Sequence, residues 1–401
     1  MVDKLRFVGM NMVLNDVCEV YSGYALKSFN EGKEGFPVIK IGNILTDGRL
    51  SLEDCQYTTE TVNTKYYSQK DDVYVALSGA TTGKIGLMET DESYVINQRV
   101  GVVRRKDKKI PSRFIKYFLL KQTERILQEA AGCAQPNISP KQIGAYTFPS
   151  FSSEKMEEIT RELDKVTNVI QYRYKQNNLL DCLIKARFVE MFGDPEMNPY
   201  GWQKINISNI VQGKVSNGYF AKRDEYVEDG NAAILGVAYI VNRIYSGIEG
   251  LPRTNVTLAD IQKYKVRYGD MLFCRSSLVA EGIGKASIVP ENVPDNTLFE
   301  CHVIRLPLDM DKCVPEFMQV LSTTDYFRKQ MIAQSKTATM TTIGQDGIKK
   351  ANIILPPIEK QREFYSFVKQ IDKSKVVVPS KIKNAIFVIM LSVSFGQITS
   401  I

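Results

Sequence analysis

The chain has 401 residues, 44% hydrophobic and 24% charged, the composition of an ordinary soluble globular protein with room for two or three separate cores. Lys and Arg outnumber Asp and Glu by seven, and the sequence pI is about 8.8, which favours a polyanion such as nucleic acid without requiring one. The seven cysteines are odd in number and form no C-x-x-C pair, and the single histidine, His302, has only Cys301 beside it; a disulfide scaffold, a Cys/His zinc site and Ser-His-Asp catalysis all lack support, and a reduced cytoplasmic setting fits best.

The N-terminal "MVDKLRFVGMNMVLNDV" has no long apolar core and no small-residue cleavage site, so no signal peptide is expected. From there the chain reads as one α/β unit written twice. "SGYALK" (22–27) returns as "NGYFAK" (217–222), and the strand "VIKIGNI" (38–44) as "ILGVAYI" (234–240). "KYYSQKDDVYVAL" (65–77) parallels "KYKVRYGDMLFCR" (263–275), and "TGKIGL" (82–87) parallels "IGKASI" (283–288). "NISPKQIGAYTFPSF" (137–151) parallels "TIGQDGIKKANIILPPI" (342–358). Five matches in the same order point to tandem duplication rather than chance, with a repeat too long for a solenoid. Short apolar runs, "DVYVAL", "VGVVR", "MLFCR" and "HVIRL", read as strands. One helical stretch sits late in each copy, at 112–130 and 315–333.

Between the copies, apolar residues recur at Met156, Ile159, Leu163, Val166 and Ile170, then at Leu180, Ile184, Phe188 and Met191. Spacings of three and four predict a helix over 154–192 with one buried stripe. Acidic residues at its start and basic ones at its end suit the helix dipole, and Gly193 and Pro195 stop it. About 39 residues at roughly 1.5 Å each give a rod of roughly 58 Å, which wants a partner helix. The second copy offers one at 359–375, started by Pro357 and interrupted by Pro379. The apolar run "AIFVIMLSVSF" (385–395) has about half the length needed to cross a bilayer and reads as a buried element.

"LSGATTGKIG" (77–86) resembles a phosphate-binding loop. Yet only three residues separate Gly79 from Gly83, and Ile85 follows Lys84 where a magnesium-binding hydroxyl belongs. The second copy fails alike, with Ala286 after Lys285. A strand–turn–strand is the better reading, its tip of Ser78, Thr81, Thr82 and Lys84 either a solvated hairpin or a set of groups able to bond phosphates and base edges. "NPYG" (198–201) lacks the second proline of an amino-methyltransferase loop and follows a helix, so it reads as a connector. No nuclease-type acidic cluster is evident.

With these residues together, the chain resembles the specificity subunits of type I restriction–modification systems. The resemblance rests on the duplicated "SGYALK"/"NGYFAK", "VIKIGNI", "LSGATTGKIG", "AQPNIS" leading into a long helix, and "FGDPEMNPYGW" as the bridge into the second domain. It implies an α+β fold: two target-recognition domains of α/β type, at 1–152 and 194–357, joined by a spacer helix at 153–193, with a second spacer helix and tail at 358–401. The helices would form an antiparallel coiled coil. It further implies that each domain reads one half of a split, asymmetric double-stranded DNA sequence. Two methylation subunits, which carry S-adenosylmethionine, and restriction/motor subunits that hydrolyse ATP would be the partners. The chain itself would have no catalytic residue, cofactor, metal or membrane contact. A stand-alone DNA-binding protein is the alternative, though it would not need so long a rod.

Within that frame the DNA-contact candidates follow from chemistry. They are Ser22, Tyr24, Lys27, Ser78, Thr81, Thr82, Lys84, Gln135, Asn137 and Lys141 in the first domain. Those in the second are Asn217, Tyr219, Lys222, Arg275, Ser276, Ser277, Lys285, Thr339, Thr341 and Lys349. The two tyrosines fit the core equally well.

Overall fold

The computed structural model describes residues 11–131 and 136–375, which fall into two compact units meeting at residues 173 and 174 of the chain. The apolar run at 385–395 and the continuation past Pro379 lie outside the described residues.

Each unit is built on the same three sheets. In the first, a four-stranded antiparallel sheet runs Cys18–Ser22, Val100–Arg105, Val73–Ala76, Ile85–Leu87. In the second the order is Ser216–Asn217, Val303–Leu306, Met271–Cys274, Ala286–Ile288. Three-stranded sheets follow suit. Phe36–Ile39 lies between Gln56–Thr58 and Val95–Ile96, and Ala232–Leu235 between Arg253–Thr254 and Thr297–Phe299, each with one parallel pair. A two-stranded pair closes each unit, Asn11–Val13 on Thr147–Pro149 and Gln203–Asn206 on Asn352–Leu355. The duplication read from the sequence is thus a duplication of strand order.

The central strands Val73–Ala76 and Met271–Cys274 are buried on both faces. That is why they read as unbroken apolar runs rather than alternating ones. "VIKIGNI" is only partly strand. The chain leaves the sheet after Ile39 because Asn43 folds back, its Oδ1 accepting the Lys40 N–H at 2.8 Å, and a short 3-10 turn follows. The helical stretches at 112–130 and 315–333 are each broken in two, at Gln122 and at Thr323–Thr324. In the second the hydroxyls of Ser322, Thr323 and Thr324 bond back to the carbonyls of Gln319, Val320 and Leu321 at 2.6–2.7 Å. They compete with the backbone ladder, and Thr324 then caps the next helix.

The long helix spans Ser153–Phe192. Its first turns bury Met156, Ile159 and Leu163 in the first unit's core. Its last turns bury Ile184, Phe188 and Phe192 in the second. There the helix Ile358–Ser374 runs antiparallel to it: Lys375 meets Asp181 at 2.6 Å, while Arg187 meets Glu363 at 3.5 Å. Phe188, Phe192, Phe317 and Phe364 pack with ring centroids 4.9–5.6 Å apart, each fully buried ring contributing roughly 1.5–3 kcal/mol. The expected pairing is therefore present over the helix's last third. Between its two buried ends, Val169, Tyr172, Leu179 and Leu183 are exposed.

Candidate nucleic-acid interface

In the first unit, backbone hydrogen bonds draw four separate segments to one end of the sheets. Tyr24 N–H donates to the Ile96 carbonyl at 2.7 Å and Gln98 N–H to the Tyr24 carbonyl at 2.8 Å. Leu77 N–H donates to the Arg99 carbonyl and Ile138 N–H to the Leu77 carbonyl, both at 2.9 Å. Gly23 sits where this weave is tightest. A Cβ there would stand far inside van der Waals contact with the carbonyl oxygens of Ile96 and Asn97, so only glycine fits. Gly218 meets the carbonyls of Phe299 and Glu300 in the same way, which explains the glycine shared by "SGYALK" and "NGYFAK".

The "LSGATTGKIG" segment is the turn joining two antiparallel strands, with Val75 opposite Ile85 and Gly79 and Gly83 at φ +79° and +80°. A phosphate cradle needs free backbone N–H groups. Here those of Gly79, Thr82, Gly83 and Lys84 donate to the carbonyls of Pro136, Gly79, Ala76 and Thr81. No helix follows Lys84, and the strand Ile85–Leu87 takes its place.

The second unit repeats the weave with different side chains. Tyr219 N–H donates to the Phe299 carbonyl at 2.7 Å, Arg275 N–H to the His302 carbonyl at 2.8 Å, and Ile343 N–H to the Arg275 carbonyl at 3.0 Å. A further sheet forms, with Thr341–Thr342 between Ser276–Ser277 and Lys336–Thr337. Where the first unit has Asn97, Gln98 and Arg99, the second has Glu300, Cys301 and His302, whose ligand atoms lie within 4.8 Å of one another. Burial pushes the Cys301 thiol up, and Glu300 beside it pushes the same way; this keeps the sulfur protonated and disfavours it as a thiolate ligand. Glu300, His302, Ser276 and Met340 line an open cavity of about 370 Å³ together with Tyr226, Tyr239 and Pro252.

The model of the type I restriction modification DNA specificity domain matches this chain twice, over residues 10–181 and 199–386. The chain belongs to that family. It is similar to the specificity subunit of the type I restriction enzyme EcoKI from Escherichia coli K12, at 23% identity covering 87% of this chain and 78% of the relative. It is also similar to the EcoBI specificity subunit from E. coli, at 22% identity covering 94% and 82%. The crystal structure of a type I restriction–modification S subunit from M. genitalium shares the fold, with a TM-score of 0.50 at 13% identity over 98% of this chain and 96% of that one.

In this specificity-family chain the candidates divide into three groups. At the woven ends and open to solvent are Lys27, Asn137 and Lys141 in the first unit and Lys222 and Thr339 in the second. Half-buried beside them are Ser22, Ser78, Thr81, Lys84, Asn217, Arg275, Ser277, Lys285 and Lys349. Several of these already have partners. Arg275 donates to the Cys301 carbonyl at 3.1 Å, Lys285 to Asn242 Oδ1 at 2.9 Å, and Lys349 pairs with Asp346 at 2.7 Å. The third group is turned inward and must be corrected. Thr82 is 6% exposed, and its hydroxyl donates to the Gly79 carbonyl at 2.6 Å, locking the turn. Ser276 and Thr341 are buried in the extra sheet, the Thr341 hydroxyl 3.0 Å from that of Thr337. Tyr24 and Tyr219 are half-buried, their rings packed on Tyr66 and Tyr264 with centroids 5.3 and 5.7 Å apart, so each is shared between the core and the surface. Gln135 lies outside the described residues.

Sequence reasoning missed Gln98 and Arg99, which are exposed at the first woven end, and their counterparts Cys301 and His302. The signal was present: "VINQRVGVVR" (95–104) and "LFECHVIRLP" (298–307) are a sixth repeat pair.

Proposed function

We propose that this chain is the DNA-recognition subunit of a type I restriction–modification complex, with each unit reading one half of a bipartite, asymmetric target. The observation that carries this reading is the specificity domain present twice, each copy ending in the same weave but with different side chains on it. A common backbone with divergent tips is what two readers of two different half-sites need. Lys27, Lys84, Arg99, Asn137 and Lys141 would serve the first half-site, and Lys222, Arg275, His302, Lys285 and Thr339 the second. Cations position the protein on phosphate, while amides, hydroxyls and Arg read base edges.

The role is recognition without catalysis, in the cytoplasm, where the DNA lies. Methylation would be done by two partner subunits, docked on the long helix and the helix Ile358–Ser374, and restriction by separate motor subunits. The exposed Val169, Tyr172, Leu179 and Leu183 on the long helix suit such docking. The occupied N–H groups of the glycine turn argue against a nucleotide cradle at that turn, and calorimetry on the isolated chain is expected to find no micromolar binding of ATP or S-adenosylmethionine.

The decisive test replaces residues 206–340 with the equivalent segment of a relative and sequences the host methylome. One half of the methylated site is expected to change and the other to stay. A change in both halves would refute independent reading.

A further inference from the structure

The turn after the central strand differs between the two units in length and in side chains. Leu77 and Arg275 occupy equivalent places: within its own unit the Leu77 N–H bonds the Arg99 carbonyl, and within its own unit the Arg275 N–H bonds the His302 carbonyl. Lys84 and Lys285 are also equivalent, since their carbonyls accept from Ala76 and Cys274. Between these landmarks the first unit has residues 78–83, all small: Ser, Gly, Ala, Thr, Thr, Gly. The second has the longer 276–284, with Leu278 and Val279 at its tip.

Those two side chains are 83% and 58% exposed. A lone exposed leucine is unremarked on most surfaces, but this pair is held stiffly. Ser276 and Ser277 are strand-paired to Thr342 and Thr341, and the Ser277 hydroxyl accepts the Val279 N–H at 3.2 Å. On the far side Arg328 donates to the Glu281 carbonyl at 2.9 Å. The tip is thus an apolar projection on a braced platform, with the cations Arg275 and Lys285 at its feet.

We infer that Leu278 and Val279 read the 5-methyl group of thymine in the half-site of the second unit. The inference rests on the DNA-recognition reading given above. The major-groove edge of base pairs presents hydrogen-bond donors, acceptors and one apolar group, the thymine methyl. An apolar tip pressed against donors and acceptors strips them of water and returns nothing; pressed against a methyl it gains. The flanking cations supply the attraction that brings an otherwise water-averse tip to a phosphate-lined groove. The corresponding turn of the first unit offers only the small Ala80 and Thr81 at its tip.

The test uses the full chain assembled with its methylation subunits, on duplexes of the methylated motif. Each thymine of the second half-site is replaced in turn by deoxyuridine, which lacks only the methyl. At one or two positions affinity is expected to fall about fourfold, the worth of one buried methyl. The L278A/V279A variant should bind the thymine duplex more weakly by a similar factor and no longer distinguish thymine from deoxyuridine there. Its recognition of the first half-site should be unchanged, which also shows that it folds. A second half-site without an A·T pair, equal binding of every deoxyuridine duplex, or a variant that keeps the discrimination would each overturn the inference. Failure of the underlying reading looks different: the wild-type complex would then tolerate any base change in the second half-site.

Discussion

Asp72 of the first unit and Asp270 of the second stand at the same turn, just before the same central strand, and each carboxylate accepts the backbone N–H three residues back, from Gln69 at 2.8 Å and from Arg267 at 2.9 Å. Beyond that bond they part. Asp72 also takes two hydrogen bonds from Arg104, at 2.8 and 2.7 Å, in an ion pair whose side chains are 1% and 14% exposed. The position equivalent to Arg104 is Pro307, and among the described residues Asp270 has no cation within ion-pair distance. The fold therefore needs the acceptor, which closes the turn, and does not need the ion pair. At this turn, then, the acceptor that closes the backbone recurs in both copies and the ion pair built on it does not.

The strongest break of the comparison comes where the two copies are alike. Gly23→Ala and Gly218→Ala each drive a Cβ into two backbone carbonyls that are themselves held by backbone hydrogen bonds. Each should cost on the order of 4 kcal/mol, read by denaturant unfolding, and each should abolish recognition of its own half-site first. Gly42→Ala, with nothing within 4 Å of the added carbon, is the control and should change stability by less than about 0.5 kcal/mol. A mild Gly218→Ala beside a severe Gly23→Ala would mean that the second weave can open and the two scaffolds are not equivalent.

Next in size is a substitution that can act in one unit only. Burial raises the Asp72 carboxyl, and Arg104 is the main influence pulling it back. Arg104→Met keeps the side chain's bulk but leaves Asp72 buried and unpaired, and also strips the Tyr67 carbonyl of a bond at 2.9 Å. A loss of about 3 kcal/mol is expected, confined to the first unit. Hydrogen exchange would check the location: protection should fall in the strands Val73–Ala76 and Val100–Arg105 and stay constant in Met271–Cys274 and Val303–Leu306.

How much of this was legible beforehand follows the same line. The duplicated strands could be read because apolar runs and turn glycines are local signals, and the long helix because its stripe has a period. The breaks at Gln122 and Thr323–Thr324 could not, since no proline or glycine marks them; at the second, three hydroxyls bonding backward do the work. The interface was read in part. Lys27, Asn137 and Lys141 are polar residues beside a recognisable turn. Gln98 and Arg99 are brought to the same end by long-range pairing, of Val95–Ile96 with Phe36–Ile39 and of their own backbone with Tyr24 and Leu77, and only the sixth repeat pair hints at it in the sequence. The inward turn of Thr82 was equally hidden, because a threonine at a tip looks the same whether its hydroxyl faces water or the Gly79 carbonyl.

The smallest effect sharpens the comparison at Asp270 itself. Desolvation is the largest influence on this carboxyl and raises it above its ordinary value of 3.8, against weaker pulls from the Arg267 N–H and the charges of Arg305 and Arg267. A carboxyl raised by folding holds its proton in the native state at pH values where the unfolded chain has released it. Over that window the native state binds more protons, so stability falls as pH rises through it. Asp270→Asn removes the charge and keeps an oxygen for the Arg267 N–H. Above the window the variant should be more stable than the wild type by about 1 kcal/mol, and below 3.8 the two should converge. Urea titrations at a series of pH values measure this directly. If the variant is instead less stable at neutral pH, then Arg305 or Arg267 already compensates the Asp270 charge. The two turns would then differ in the source of their cation and not in whether they have one.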